Sequence, residues 1–304
     1  MWRKKMKAIV CNAYSSDKDL VIKEMSKPVI REDEVLIRVM AATVASGDCV
    51  VRNANNLFMR IVFGLKKPRK PILGTDLAGV VEAVGKNVTK FKVNDHVIAS
   101  TGAGFGCHSE YIALKESKAI VKIESTVPFN EAVTLAFGGL AGLHYLKKMK
   151  NINKSKILIY GASGAVGSSS VQLAKYYGFE VSTVSSFGNI DMLQSLGTDV
   201  AFSYTEDSWK KNLGQYDYIF DAVGKTNKKD WEQHLVAGGE YFTIANGYVK
   251  ENVEDMELLV QLAKEKKLLP VIDKVYTMEQ IVEAYKYVET NRKKGNVVLD
   301  FSNL

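Results

Sequence analysis

Residues 157–167, ILIYGASGAVG, decide the fold. A β-branched, apolar run stops at Gly161, glycines recur at 161, 164 and 167, and the helix-forming VQLAKYYG follows. The pattern predicts a strand, a tight turn and a helix whose first backbone N–H groups, with the positive end of its dipole, face whatever anion lies beyond the sheet. A dinucleotide pyrophosphate is the candidate. Gly161 permits the chain reversal, Gly164 lets backbone approach a phosphate, and Gly167 lets the helix lie close on the strands. Ala162 stands where the first glycine of GxGxxG falls, and taken alone the pattern also fits an ordinary strand-to-helix turn.

The context decides between these readings. Beyond Gly167 the chain alternates strand and helix periods through EVSTVSS, DMLQSLG, VAFSY, YDYIFDAVG and WEQHLVAGGEYFTIAN, which predicts a doubly wound parallel sheet. Gly178 and Gly197 read as helix C-caps, and Gly238-Gly239 as a break before a further strand. The first half follows another rule. Residues 7–12 and 35–40 alternate as strands, and 72–100 is rich in Gly and Val with turn signals at 85–87 and 94–95, so a mainly β region comes first. PVIDKVYT, MEQIVEAYKYVET and GNVVLDF then predict a strand, a helix and a strand that return the chain to that region.

A chain of 304 residues that is 46% hydrophobic can bury a sizeable core, and its length predicts two domains. The opening MWRKKMKAIV has no apolar h-region and no later apolar run is long enough to cross a bilayer, so the expectation is a cytoplasmic protein without a membrane partner. Cys11, Cys49 and Cys107 are widely separated and give no disulfide framework. The formal charge of +7 favours polyanions in general, and its densest cluster is Lys66, Lys67, Arg69 and Lys70 beside prolines. No aromatic interleaving accompanies that cluster, which predicts a solvated surface and no nucleic-acid partner.

KAIV near the N-terminus, GTDLAGVVEAVGKNVTKFKVNDHV from Gly74, EYIAL, GASGAVG, SLGTD, FDAVG and the terminal KKGNVVLDF occur here in one order. Together they make the chain similar to the medium-chain dehydrogenase/reductases, and within them to the zinc-free quinone oxidoreductase branch. The resemblance covers nearly the whole chain. It implies an α/β fold with a GroES-like β-rich catalytic domain over 1–125 and 272–304, and a Rossmann doubly wound parallel-sheet domain over 126–271.

Metal and cofactor expectations follow from matched positions. Zinc-dependent relatives use a Cys and a GHE motif where this chain has Ala45 and Gly74-Thr75-Asp76, so the resemblance implies no zinc. Cys107-His108 is the nearest metal-like pair, and adjacent side chains without a partner motif read as ordinary turn residues. Without a Lewis acid the chemistry shifts toward hydride addition to a conjugated carbonyl. Ser185-Ser186 ends the second nucleotide-domain strand where an NAD site carries Asp or Glu. The resemblance sets Ser186 and Tyr204 beside a 2′-phosphate, favouring NADPH with NADH still open, although Asn189 stands where many relatives have Lys.

The remaining candidates are carried over by position. The cofactor set comprises Gly161, Ser163, Gly164, Ala165, Val166, Gly167, Ser186, Asn189 and Tyr204, with Val223, Ile244, Asn246 and Asn296 toward the nicotinamide. Ala45, Asp48, Thr75 and Phe105 are substrate-pocket candidates, Asp48 reading equally as a turn or N-cap residue. Ala45 and Ala141 replace a common Asn and a common Thr, and Tyr111 and Tyr248 offer hydroxyls while reading more simply as packing or surface tyrosines. The expected activity is NADPH-dependent reduction of quinones, enones or related reactive carbonyls on a small-molecule substrate. Metal-free carbonyl/alcohol oxidoreduction and a nucleotide-binding regulatory role with little turnover stay open. After IANG the chain passes quickly into VEDMELLVQLAKEKK, where relatives insert an edge strand used for dimerisation, which predicts a monomer or an atypical dimer.

Overall fold

Gly and Pro punctuation cuts the β-branched runs of this chain into short strands, and the computed structural model describes them over residues 5–15, 17–150, 154–247 and 249–303. The first elements are β1 (Lys5–Cys11), β2 (Leu20–Ser26), β3 (Glu34–Thr43), α1 (Ser46–Asn53), α2 (Leu57–Phe63), β4 (Asp76–Val84), β5 (His96–Ser100), β6 (Tyr111–Lys115), β7 (Ala119–Lys122) and α3 (Phe129–Ala132). There follow α4 (Phe137–Leu146), β8 (Lys156–Tyr160), α5 (Ala165–Tyr177), β9 (Glu180–Ser185), α6 (Ile190–Ser195), β10 (Val200–Ser203), β11 (Tyr216–Asp221) and β12 (Leu235–Thr243). The chain closes with α7 (Val253–Lys264), β13 (Ile272–Thr277), α8 (Ile281–Glu289) and β14 (Asn296–Asp300). It divides into two compact units, Met1–Ala136 with Glu251–Glu257 and Ile272–Leu304, and Phe137–Lys250 with Leu258–Val271.

In the first unit β1 and β2 form an antiparallel hairpin, and a larger sheet runs β13-β14-β3-β4-β5-β7 with β6 also paired to β3. All its pairs are antiparallel except β13 with β14, which α8 connects as a parallel crossover. Ile37, Leu77, Val81, Val97, Tyr285 and Leu299 are fully buried in its core. The terminal strand–helix–strand read from sequence therefore supplies two strands and a helix to the sheet begun by the N-terminal half.

In the second unit five strands pair in the order β10-β9-β8-β11-β12, every pair parallel. The order reverses between β8 and β11, so loops leaving the C-terminal ends of those strands diverge and leave a crevice, the usual ligand position in such sheets. Leu158, Ile219 and Trp231 are fully buried in one core cluster. Gly178 and Gly197 have φ of +91° and +96° and close their helices as expected. Gly238-Gly239 departs from expectation: the pair lies inside β12 rather than before it. Leu235 faces Tyr216 while Glu240 faces Tyr218, so the intervening residues bulge from the ladder. A φ of +82° at Gly238 allows that detour without ending the strand.

Candidate functional site

The turn after β8 is built by exclusion. Gly161 has φ +73°, and a Cβ there would sit 2.0 Å from Val223 Cγ2. Its N–H donates to Val184 O at 2.9 Å, and that of Ala162 donates to the same carbonyl at 3.2 Å, which pins the turn to β9. At Gly167 a Cβ would meet Gly161 O at 2.4 Å and Ala162 Cα at 2.5 Å, both unyielding backbone atoms. These two glycines let the helix seat against the strand end.

Gly164 is different. Its φ is −77°, and a Cβ would find only Gly161 O, at 3.8 Å. As N-cap of α5 it has no side chain to accept the first-turn N–H groups, and no acidic residue stands in that turn. Ser163 and Ala165 are half-buried beside it, and Val166 is buried. The positive end of a thirteen-residue helix is thus left without an internal counter-charge.

The other nucleotide-side candidates follow strands of the same sheet. Ser186 succeeds β9, and Asn189 Nδ2 donates to its Oγ at 2.9 Å. Asn189 is buried and its Oδ1 has no protein partner among the described residues, so its described side-chain contact is the one to Ser186. Tyr204 follows β10, donates its N–H to Ser185 O at 2.9 Å and exposes its ring. Val223 is exposed after β11, Ile244 is half-buried after β12, and Asn246 is exposed. Ala141 is buried in α4.

Asp221, at the end of β11, was not among the sequence candidates, yet it shapes this region. Its fully buried carboxylate accepts from the N–H groups of Val223 and Gly224, each at 2.9 Å, and of Thr226 at 2.7 Å, and from Thr226 Oγ1 at 2.8 Å. Trp231 Nε1 donates to Thr226 Oγ1 at 2.9 Å, and the Tyr241 hydroxyl donates to Thr226 O at 2.7 Å. This network folds the loop so that Val223 meets Gly161. The readable signal was an Asp ending an apolar strand just before Val-Gly, where a carboxylate collects turn N–H groups.

The substrate-pocket candidates belong to the first unit. Ala45 precedes α1 and is half-buried. Asp48 is fully buried, and its two oxygens accept from the N–H groups of Ala45 at 2.9 Å and Gly74 at 3.1 Å. The carboxyl thus closes a helix start, the cap reading of this residue. Phe105 is packed in the core with its ring edge-on to Phe63 at 6.2 Å. Thr75 is half-buried and donates to Asp76 at 2.9 Å; Ser100 at 2.8 Å and Thr43 at 3.1 Å complete a ring of hydroxyls around that carboxylate. Burial pushes the Asp48 and Asp76 carboxyls up to about 7. Asn296 is buried at the start of β14.

Cys107 and His108 are both fully buried. His108 Nε2 lies 2.8 Å from Thr43 O, and because a carbonyl only accepts, Nε2 carries the proton. Burial pulls the imidazole down to about 4, which keeps it neutral. A Cβ at Gly74 would lie 2.3 Å from its Cδ2, so this glycine is required by the ring beneath it. Tyr111 stacks under the Lys27 ammonium at 3.8 Å. Tyr248 lies outside the described residues.

Residues 31–125 match the alcohol dehydrogenase GroES-like domain family, and residues 246–299 match the zinc-binding dehydrogenase family. A 2-methylene-furan-3-one reductase of Solanum lycopersicum is 30% identical over 294 residues, spanning 90% of this chain and 73% of the relative. The chain belongs to the medium-chain dehydrogenase/reductase superfamily. It is an oxidoreductase of that superfamily, with both a GroES-like antiparallel sheet and a Rossmann-like parallel sheet. An Arabidopsis thaliana relative, NADPH-dependent alkenal/one oxidoreductase, chloroplastic, is 28% identical and covers 97% of this chain and 80% of its own length. The quinone oxidoreductase structure from Coxiella burnetii superposes with a TM-score of 0.86 at 24% identity over 98% of this chain and 99% of the other, a likeness of fold.

Proposed function

We propose that this chain is an NADPH-dependent, zinc-free reductase of enones, quinones or related reactive carbonyls. The observation that carries the reading is the turn at Gly164: a helix N-terminus with no side-chain cap, no close contact for a Cβ and no acid in its first turn fits a pyrophosphate. The enone and alkenal names of the relatives support the acceptor class. Residues 126–271 then form the nucleotide-binding domain, and residues 1–125 with 272–304 the substrate domain.

In this reading the first-turn N–H groups of Ala165, Val166 and Gly167 hold the pyrophosphate, with Ser163 beside it. Ser186 accepts from Asn189, which turns its own hydroxyl proton away from Asn189 and makes it a donor for a 2′-phosphate. Tyr204 offers a second hydroxyl, and no carboxylate ends β9 to repel that phosphate. Val223, held by Asp221, and Ile244 and Asn246 border the nicotinamide half. When bound, the reduced nicotinamide supplies a hydride to the electrophilic carbon of the acceptor. The protein's task is to orient, to exclude water and to stabilise the oxygen that gains charge.

The donor groups present do not fit a catalytic zinc. Ala45 and Thr75 offer neither thiolate nor imidazole, His108 Nε2 is committed to Thr43 O, and residues 246–299 contain neither Cys nor His. Anaerobic oxidation of NADPH with a panel of quinones, alkenals and saturated aldehydes, with NADH and chelator controls, tests the reading. The expected result is chelator-insensitive turnover with the conjugated acceptors. Binding of NADPH without turnover would move the chain to a regulatory role, and chelator-sensitive alcohol oxidation would overturn the zinc-free mechanism.

A further inference from the structure

One face of the first unit breaks the rule that large apolar side chains turn inward. Helix α2 reads LFMRIVF, and Leu57 and Phe58 are 70% and 71% exposed, with Ile61 and Val62 also exposed and Leu65 63% exposed in the following loop. At 3.6 residues per turn, positions 57, 58, 61 and 62 share one side of the helix. Phe63 turns the other way, into the edge-on contact with Phe105. Single exposed apolar residues are ordinary, but a contiguous set on one helical side marks an interaction surface.

This face is built, not frayed. Asn56 caps the helix by accepting from the Met59 N–H at 2.8 Å, Arg60 Nε donates to Ala54 O at 3.1 Å, and the Tyr14 hydroxyl donates to Gly64 O at 2.6 Å. The Arg69 N–H donates to Phe63 O at 2.7 Å, folding the following loop back on the helix end. Gly64 makes that return possible with φ +132°, where a Cβ would lie 2.2 Å from Lys67 O.

Along the sequence, the charge beside the apolar face has one sign. From Cys49 through Thr75 the sequence contains no Asp or Glu, while Arg60, Lys66, Lys67, Arg69 and Lys70 are all exposed. Arg69 and Lys70 donate to the carbonyls of Ile61 and Ala103, each at 3.1 Å, and none of the five forms an ion pair among the described residues. A two-fold pairing of this face with itself would set these cations against their own copies. Nucleic acid offers an aliphatic face little, since its interfaces are polar. An anionic bilayer surface matches both halves at once: acyl chains for the apolar side, headgroups for the cations.

We propose that α2 and the loop to Lys70 form a shallow docking surface for anionic lipid bilayers. Leu57, Phe58, Ile61 and Leu65 enter the boundary between headgroups and acyl chains, and the basic loop lies against the headgroups. No helix among the described residues is long and apolar enough to cross a membrane, so the contact is peripheral. The proposal replaces the expectation that this loop is only solvated and that the chain has no membrane partner. It stands independently of the reductase reading.

Sedimentation of the full chain with phosphatidylcholine vesicles, with and without phosphatidylglycerol, is the direct test. The expected result is pelleting with the anionic vesicles alone, weakening as salt rises. Each cation near an anionic leaflet strengthens binding by about fivefold, so Lys66→Gln with Lys67→Gln lowers partitioning roughly 25-fold. Phe58→Asp with Ile61→Asp abolishes it, and Phe58→Trp gives an emission that shifts to the blue on vesicle addition while wild type does not. Circular dichroism checks each variant, and the lysine and tryptophan variants stand if the aspartate pair fails to fold. Equal pelleting with both vesicle types, unchanged partitioning of the lysine variant, or an unshifted emission from the Phe58→Trp variant overturns the proposal. So does a dimer seen by light scattering that Phe58→Asp dissolves in a chain that ignores vesicles, which gives the face to a second copy.

Discussion

Two strand-to-helix turns, one in each unit, begin with the same deficit and resolve it in opposite ways. Both α1 and α5 start from an N-cap residue with no side-chain acceptor, Ala45 and Gly164. At α1 the chain supplies its own acceptor: the Asp48 carboxyl is buried against the Ala45 and Gly74 N–H groups. At α5 the first turn has no acid, and a Cβ on Gly164 would meet only Gly161 O, at 3.8 Å. On the proposed reading, the N-terminus of α5 is a ligand site because the sequence withholds an internal carboxylate there.

The largest expected effect breaks the open turn itself. Gly167→Val puts a branched side chain into Gly161 O and Ala162 Cα, so α5 cannot stay seated, and the loss should be about 3 kcal/mol or more in urea denaturation. Unchanged stability would mean that the helix does not pack there. The closed turn should lose somewhat less: Asp48→Ala leaves two buried N–H groups unpaired, about 2 kcal/mol by the same measurement.

The carboxylates of the first unit also carry a pH signature. Burial raises Asp76 from 3.8 to about 7 in the folded chain, with the Ser100, Thr75 and Thr43 hydroxyls opposing the shift. The folded state then holds this proton more tightly than the unfolded state does. Its stabilising contribution is complete below about pH 4 and is lost as pH rises through about 7. Asp76→Asn keeps the shape and removes the titration, so the slope of stability against pH between those limits should flatten. A slope identical to that of wild type would show that Asp76 does not titrate in this window.

Converting the open turn into a closed one sharpens the comparison further. Gly164→Asp fits the extended φ of this N-cap and has room for its side chain, so thermal stability should hold or rise slightly. On the proposed reading the new carboxylate takes the N–H groups from the pyrophosphate and repels it, weakening NADPH about thirtyfold. Stability and affinity moving in opposite directions is the result that distinguishes a ligand site from a packing turn. Unaltered NADPH affinity in the folded variant would count against the site.

The sequence made the open turn legible because its information is local. Three glycines, a strand before and a helix after lie within a few tens of residues, and the steric reasons for Gly161 and Gly167 reappear in the distances around them. The closed turn was half legible: Asp48 read as pocket or cap, and only the tertiary approach of Gly74 fixes its role. The packing of Phe105 and the contact of Asn189 with Ser186 were not legible for a related reason. Their residue types suit a pocket wall and a polar contact, but core burial and the Ser186 hydroxyl are set by packing that no spacing displays. Asp221 was passed over because its partner Thr226 is itself braced by Trp231 and by Tyr241 of a neighbouring strand. Gly238-Gly239 shows the converse error, a local break signal that the β11 ladder absorbs as a bulge.

The smallest effect concerns which nucleotide the open turn prefers. Ser186 sits between a buried amide on one side and, in the proposed reading, a 2′-phosphate on the other. Ser186→Ala removes a hydrogen bond to a charged group, about 1.5 kcal/mol or tenfold in the NADPH dissociation constant. NADH has no phosphate at that position and should bind the variant as it binds wild type. The substitution also strips Asn189 of its described side-chain partner, so a modest fall in thermal stability should accompany the change. Isothermal titration with both nucleotides separates these effects. If NADPH and NADH weaken together, Ser186 acts through the fold of the β9 end; if NADPH alone weakens, the hydroxyl that Asn189 orients is the part of the site that recognises the extra phosphate.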